Sequence, residues 1–142
     1  MANFTKSWHM EVGLNHVPAY QVSGVPFASG SIDAAHGATA GQAVEISFPY
    51  VTRWVKIINN DITASCKVGF SAEGLKTKRY FTVGEATAAN QPSSTERLEL
   101  KVSKLFLTGS TNIDIVAGLT TIPAGRTTTS FGPSWSGSSG VG

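Results

Sequence analysis

This chain of 142 residues lacks most of what chemistry requires. It has one cysteine, Cys66, so an intramolecular disulfide is excluded. Cys66 alternates with Val68 and Phe70, which reads as a small buried hydrophobe. A reactive thiol would need an electropositive, partly open setting, and none is visible around it. Charge is also scarce: 14% of residues are Asp, Glu, Lys or Arg, with a formal net charge of +2, against a usual ~25%. A nucleic-acid footprint needs clustered cations. The only dense cluster is Lys76-Thr77-Lys78-Arg79, which reads as a solvated loop, so no specific nucleic-acid partner is expected. A weakly charged surface rich in Ser, Thr, Gly and Ala suits a protein held in an assembly better than a free one. No apolar run approaches the ~18 residues of a membrane span. The start, Met1 to Trp8, lacks an apolar core followed by a small-residue cleavage site, so no signal peptide is expected.

Histidine is limited to His9, His16 and His36. No two of them have metal-ligand spacing to each other, and Cys66 is far away in sequence. No metal site and no cofactor are expected. A nucleophile elbow is missing too: Ser136-Gly137-Ser138-Ser139-Gly140 lies in a polar tail, where nothing orients a hydroxyl. Gly125-Arg126-Thr127-Thr128-Thr129 lacks the spacing of a phosphate loop. Glu45, Glu99 and Asp114 are outward partners on alternating strands, not a carboxylate pair held across a cleft. The expectation is a protein that is not an enzyme and has no catalytic residues.

What the chain does have is alternation. At this length one domain is favoured, and roughly 70% of the unfolded surface can be buried. Three zones differ in composition. Residues 1–41 form an N-terminal arm expected to have little regular structure. Residues 42–122 carry the strand pattern, and residues 123–142 form a Gly/Ser/Thr-rich tail. Within the middle zone, Val44, Ile46 and Phe48 alternate with polar residues. Val51 to Ile58 follows, with Val55 and Ile57 on one face and Trp54, Lys56 and Ile58 on the other, as expected of a central strand. After the turn chemistry of Asn59-Asn60-Asp61 come Cys66 to Phe70 and a short strand at Phe81 and Val83. Gly84 to Ser94 reads as a loop. Leu98, Leu100 and Val102 fall on even numbers, but Leu105 and Leu107 fall on odd ones. One flat strand cannot place both sets on one face. Either a bulge near Ser103-Lys104 resets the phase or a new strand starts there. Ile113, Ile115 and Ala117 complete the set. No helix pattern competes. These seven candidates, with an eighth if Tyr20-Gln21-Val22 pairs, predict an all-β fold. It is a single β-sandwich of seven to eight strands, of jelly-roll type, with extended terminal arms.

Aromatic residues in the arms point to docking. A ring in a tail wastes ~200 Å² of apolar surface unless it is covered. Trp8, Phe27, Phe131 and Trp135 are therefore candidate interface anchors, against the domain itself, a sister subunit or another protein. Arg53 and Trp54, adjacent on a strong strand, have the composition of a binding hot spot. They have that of a sugar-stacking platform as well.

Three stretches resemble small virion proteins of tailed bacteriophages. These are Asn15 to Phe27 (beginning Asn15-His16-Val17-Pro18-Ala19-Tyr20), Ile46 to Asn59 (with Phe48-Pro49-Tyr50 and Thr52-Arg53-Trp54), and Gly118-Leu119-Thr120-Thr121-Ile122-Pro123. The likeness is to head decoration, or cement, proteins with a jelly-roll core. It carries over no catalytic residue. The resemblance implies a sandwich, made in the host cytoplasm, that sits on the outer surface of the capsid. It would self-associate as a dimer or trimer and bridge subunits of the major capsid protein. A minor component of neck or tail is similar in kind. A carbohydrate-binding β-sandwich, stacking sugar on Trp54 or Tyr80, is the alternative.

Overall fold

The computed structural model describes residues 13–21, 24–35 and 43–127. Eight strands follow one another: β1 (Val25–Ile32), β2 (Val44–Ser47), β3 (Tyr50–Asn59), β4 (Cys66–Gly69), β5 (Tyr80–Val83), β6 (Ser93–Ser94), β7 (Lys104–Thr108) and β8 (Ile113–Pro123). They form two four-stranded sheets, ordered β1-β8-β3-β6 and β2-β7-β4-β5. Every pairing is antiparallel. The chain changes sheet at nearly every step, so strands distant in sequence lie side by side. This is the strand order of an eight-stranded jelly roll.

Alternation puts one face of each sheet into a shared core. The first sheet contributes Val55, Ile57, Ile113, Ile115, Ala117 and Leu119; the second contributes Cys66, Val68, Val83, Leu105 and Leu107. Each fully buried Val, Leu or Ile side chain stabilises the fold by roughly 1.5–3 kcal/mol relative to exposure. Cys66 is buried, and burial pushes its thiol up to about 11. The expectation of an inert, core cysteine fits that environment.

The N-terminal boundary is corrected. β1 lies inside the zone expected to lack regular structure, and it pairs with β8 from Val25↔Leu119 to Ser29↔Ile115. Pro26 and Gly30 disguise it in the sequence. β1 is an edge strand, where a missing N–H need not break a ladder bond. The register then breaks between Ser29 and Ile32, with Ser31 at φ 54°. The Ser31 amide donates to Asp114 Oδ1 at 2.8 Å. Tyr20 belongs to no strand: Val17–Tyr20 is a 3-10 turn whose Tyr20 hydroxyl donates to the Leu14 carbonyl at 2.5 Å. At the other end, a 3-10 turn at Ala124–Thr127 extends the ordered domain past Ile122, and Thr127 is buried against Ser103, hydroxyl to hydroxyl at 2.7 Å.

The shift of phase at Ser103-Lys104 marks a new strand. Lys104 opens β7 in the second sheet, so Leu105 and Leu107 enter the core from there. Val102 stays with the first sheet, where it accepts the Thr52 amide at 2.9 Å. Leu98 to Val102 is not a regular strand. It follows β3 as an irregular edge through Thr95 N to Ile57 O (2.9 Å), Leu98 N to Val55 O (2.8 Å) and Thr52 N to Val102 O. Each interval contains one more residue on this segment than on β3, so the segment is bulged twice. The expected loop Gly84 to Ser94 ends in the two residues of β6, which pair with Ile58 and Asn59.

The helix-free expectation also needs amending. A five-residue helix, α1 (Ala72–Lys76), joins β4 to β5. Ser71 caps it by accepting the Gly74 amide at 2.8 Å, the ordinary N-cap geometry. α1 folds back over the outer face of the second sheet. Leu75 sits against Gly69, where an added Cβ would lie 3.0 Å from Leu75 Cδ2. Outward-facing Phe106 is thereby only 7% exposed.

One end of the sandwich is tied by a polar knot. Asn59 donates to the carbonyls of Ala64 and Gly84, both at 2.9 Å, and accepts from the Asp61 amide and the Ser110 hydroxyl. Asp61 accepts from the hydroxyl and amide of Thr111 at 2.6 and 2.8 Å, and from those of Thr63 at 2.7 and 2.8 Å. The donors of Thr111, then those of Thr63, hold the Asp61 carboxyl well below the usual carboxylate range.

Candidate functional site

The candidate site is built on the outer face of the first sheet. Register fixes which side chains lie together there. Trp54 is opposite Gly118, which is opposite Pro26; Lys56 is opposite Val116, which is opposite Ala28; Ile58 is opposite Asp114. Three strands thus present a field of apolar groups with one cation, Lys56, inside it. Gly118, itself buried, offers no side chain between Trp54 and Pro26. Trp54, Lys56, Ile58 and Val116 are all half-buried.

Arg53 has a particular backbone setting. Thr52 is opposite Leu119, whereas Trp54 is opposite Gly118, so β3 advances two residues while β8 advances one. Arg53 is the extra residue of a β-bulge, a device that re-aims a side chain from the normal alternation. The bulge is pinned behind it. Thr52 Oγ1 donates to the Leu100 carbonyl at 2.6 Å and accepts the Val102 amide at 3.1 Å. Thr120 Oγ1 donates to the Val51 carbonyl at 2.7 Å. Among the described residues, Arg53 and Lys56 have no ion-pair partner, and the Trp54 indole N–H has no acceptor. Asp114, a carboxylate on this face, is already engaged by the Ser31 amide and by Asn60 Nδ2, each at 2.8 Å.

The N-terminal segment borders this face. The Val17–Tyr20 turn packs against β8. Lys101 fastens it, with its ammonium 5.4 Å from the centre of the Tyr20 ring and 3.1 Å from Asn15 Oδ1. His16 is exposed on the same segment.

The structure sorts the expected anchors. Arg53 and Trp54 are brought together at the bulge. Of the partners expected for Phe27, the structure shows its own domain: in β1 it turns inward and meets Phe48 edge-on, ring centres 4.9 Å apart at 76°. Its position in an unrecognised strand is the reason. Trp8, Phe131 and Trp135 lie outside the described residues. Tyr80, the alternative stacking surface, sits on the opposite sheet, and the Lys67 ammonium lies 5.0 Å over its ring. Trp54 and Tyr80 therefore do not form one platform. Sequence reasoning missed Pro26, Val116 and Gly118 as neighbours of Trp54. The outward positions of β8 were readable from its alternation, but their register against β3 was not.

Among the described residues, no group of three or more His, Cys, Asp or Glu is placed to hold a metal ion, and no helix is long and apolar enough to cross a membrane. The arrangement supplies contact area, an indole donor and two cations. No family model, curated protein or solved structure matches the chain.

Proposed function

We propose that this chain is a structural virion protein that decorates and stabilises a bacteriophage capsid. It sits on the outer surface of the shell, self-associates as a dimer or trimer, and bridges subunits of the major capsid protein. The observation that carries this reading is the Trp54 face: an apolar field on three hydrogen-bonded strands, with Arg53 at a bulge beside the indole. Buried aromatic and Arg anchors on a rigid support are the usual composition of an interface hot spot. The jelly-roll strand order and the sequence phrases around Trp54 favour a virion setting. Bridging several subunits multiplies weak contacts by avidity, without new chemistry. The test is binding to assembled shells. The wild-type chain is expected to bind at a copy number comparable to that of the shell protein and to raise the temperature at which shells open. Trp54→Ala is expected to weaken binding at least about tenfold, as befits a hot-spot tryptophan. Failure of the wild type to bind shells ends the proposal, and a copy number of a dozen or fewer moves the protein to neck or tail.

A second reading has its own support. The indole N–H, and the cations of Arg53 and Lys56, unpaired among the described residues, also suit a sugar stacked on Trp54 with hydroxyl or carboxylate groups reaching the cations. Glycan-array binding abolished by Trp54→Ala, with the fold intact, would favour this carbohydrate-binding module.

A further inference from the structure

A sandwich of two open sheets has four edge strands: β1 and β6 in one sheet, β2 and β5 in the other. Edges carry unpaired backbone groups and are the ready sites of strand addition unless blunted. β1 is blunted by Pro26 and by the register break before Ile32. β6 has two residues and continues into the doubly bulged segment along β3. β2 carries one ionised side chain, Glu45, already paired with Lys104 at 2.9 Å.

β5 differs from all three. Its pairing with β4 runs without a break from Cys66↔Val83 to Gly69↔Tyr80, so the opposite edge is straight. Phe81 is half-buried at that rim, and Thr82 is exposed. The ends of the strand carry opposite charges. Arg79 precedes it and Glu85 follows it. Both are exposed, and among the described residues neither has an ion-pair partner. They are six positions apart, one residue before and two residues after the four-residue strand, a span of roughly 20 Å for chain at strand rise.

Thr82 is midway between the two charges. When two β5 strands lie antiparallel with Thr82 opposite Thr82, Arg79 of each copy falls opposite Glu85 of the other. The same register sets Phe81 opposite Val83 of the second copy. We propose that β5 is a self-pairing edge: two copies of this chain join their β5 strands about a two-fold axis, making one eight-stranded sheet closed at both ends by Arg79–Glu85 pairs. The occupant is a second copy because the edge itself supplies the complement, a plus end and a minus end at equal distance from the centre. Two-fold symmetry uses both pairs at once, as an isologous contact requires. This inference takes up the self-association within the proposed function and gives it a surface; it does not depend on the shell.

The experiment is sedimentation velocity of the full chain, with no shell present, across a wide range of concentration. The wild type is expected to pass from monomer to dimer and to dissociate as salt is raised. Arg79→Glu and Glu85→Arg each turn two attractive cross-strand contacts into repulsive ones and are expected to weaken the dimer about tenfold. The double variant restores complementarity and is expected to recover it. Both side chains are exposed, so the variants retain the fold, checked by circular dichroism. Hydrogen exchange at β5 is expected to slow as dimer forms. A wild type that stays monomeric, a trimer, reversals without effect, or a double variant no better than the singles would each overturn the inference. Loss of shell binding with the dimer intact would instead end the shell reading and leave β5 pairing in place.

Discussion

The two outer faces of the sandwich are finished in different ways. On the second sheet the chain covers its own apolar residues: α1 folds back, Leu75 lies on Gly69, and Phe106 is sealed. On the first sheet Trp54, Ile58 and Val116 remain half-buried, with Pro26 and Ala28 exposed beside them. The two surfaces are made of similar residues. What separates them is the connection between strands: the β4–β5 link is long enough to carry a helix, whereas β3 continues directly beside β8. An apolar side chain on the first kind of face serves stability. On the second kind it is available to another molecule.

Exchanging the roles of Leu75 and Trp54 is the strongest way to break this contrast. Leu75→Ala removes the lid on Gly69 and Phe106 and is expected to cost about 2–3 kcal/mol in urea denaturation, the lower part of the range for buried leucine truncation, with shell binding unchanged once the protein is folded. Trp54→Ala is expected to do the opposite, changing stability by less than about 1 kcal/mol and affecting binding strongly. Equal stability losses would show that both faces belong to the core.

The polar knot allows a second test, with a pH signature. The folded-state pKa of Asp61 is depressed, so its contribution is fully present above the ordinary aspartate value near 4 and is lost as pH falls toward the folded value. Acid titration of stability is expected to decline below about pH 4. Asp61→Asn is expected to flatten that decline and to lower stability at neutral pH by about 2 kcal/mol, since four donors lose a charged acceptor. An unchanged acid limb would place the acid-sensitive group elsewhere.

The smallest effect concerns the turn that ends the lid. Lys78 is left-handed at φ 63°, just past α1, and the Arg79 amide returns to the Gly74 carbonyl at 2.8 Å. Glycine is the ordinary residue at such a helix end. Lys78→Gly is expected to raise stability by up to about 1 kcal/mol, read as a higher thermal midpoint. A lower midpoint would mean that the lysine side chain itself holds the lid.

The sequence was most legible where one face of a strand is buried. β3, β4, β7 and β8 announce themselves by alternation, and the change of phase at Ser103-Lys104 correctly demanded a break. Edges were harder. β1 was hidden because an edge tolerates Pro26 and Gly30, both of which read as breakers. Leu98 to Val102 alternates like a strand yet is bulged, because bulging follows from how it meets β3 and not from its own residues. The candidate site divides the same way. Trp54 and Arg53 stood out by composition. The bulge at Arg53, and the neighbours supplied by β8, depend on register between segments some sixty residues apart in sequence.

The position of β8 has a consequence for how the molecule is made. β8, the last of the described strands, lies between β1 and β3, so the first sheet is not joined up until residues 113–123 have emerged. Non-local pairings of this kind place folding in the millisecond-to-second range. The β4–α1–β5 unit, local in sequence, is free to form early. The Trp54 surface, by contrast, is complete only once β8 has docked between β1 and β3, so its assembly waits on pairings between segments some sixty residues apart.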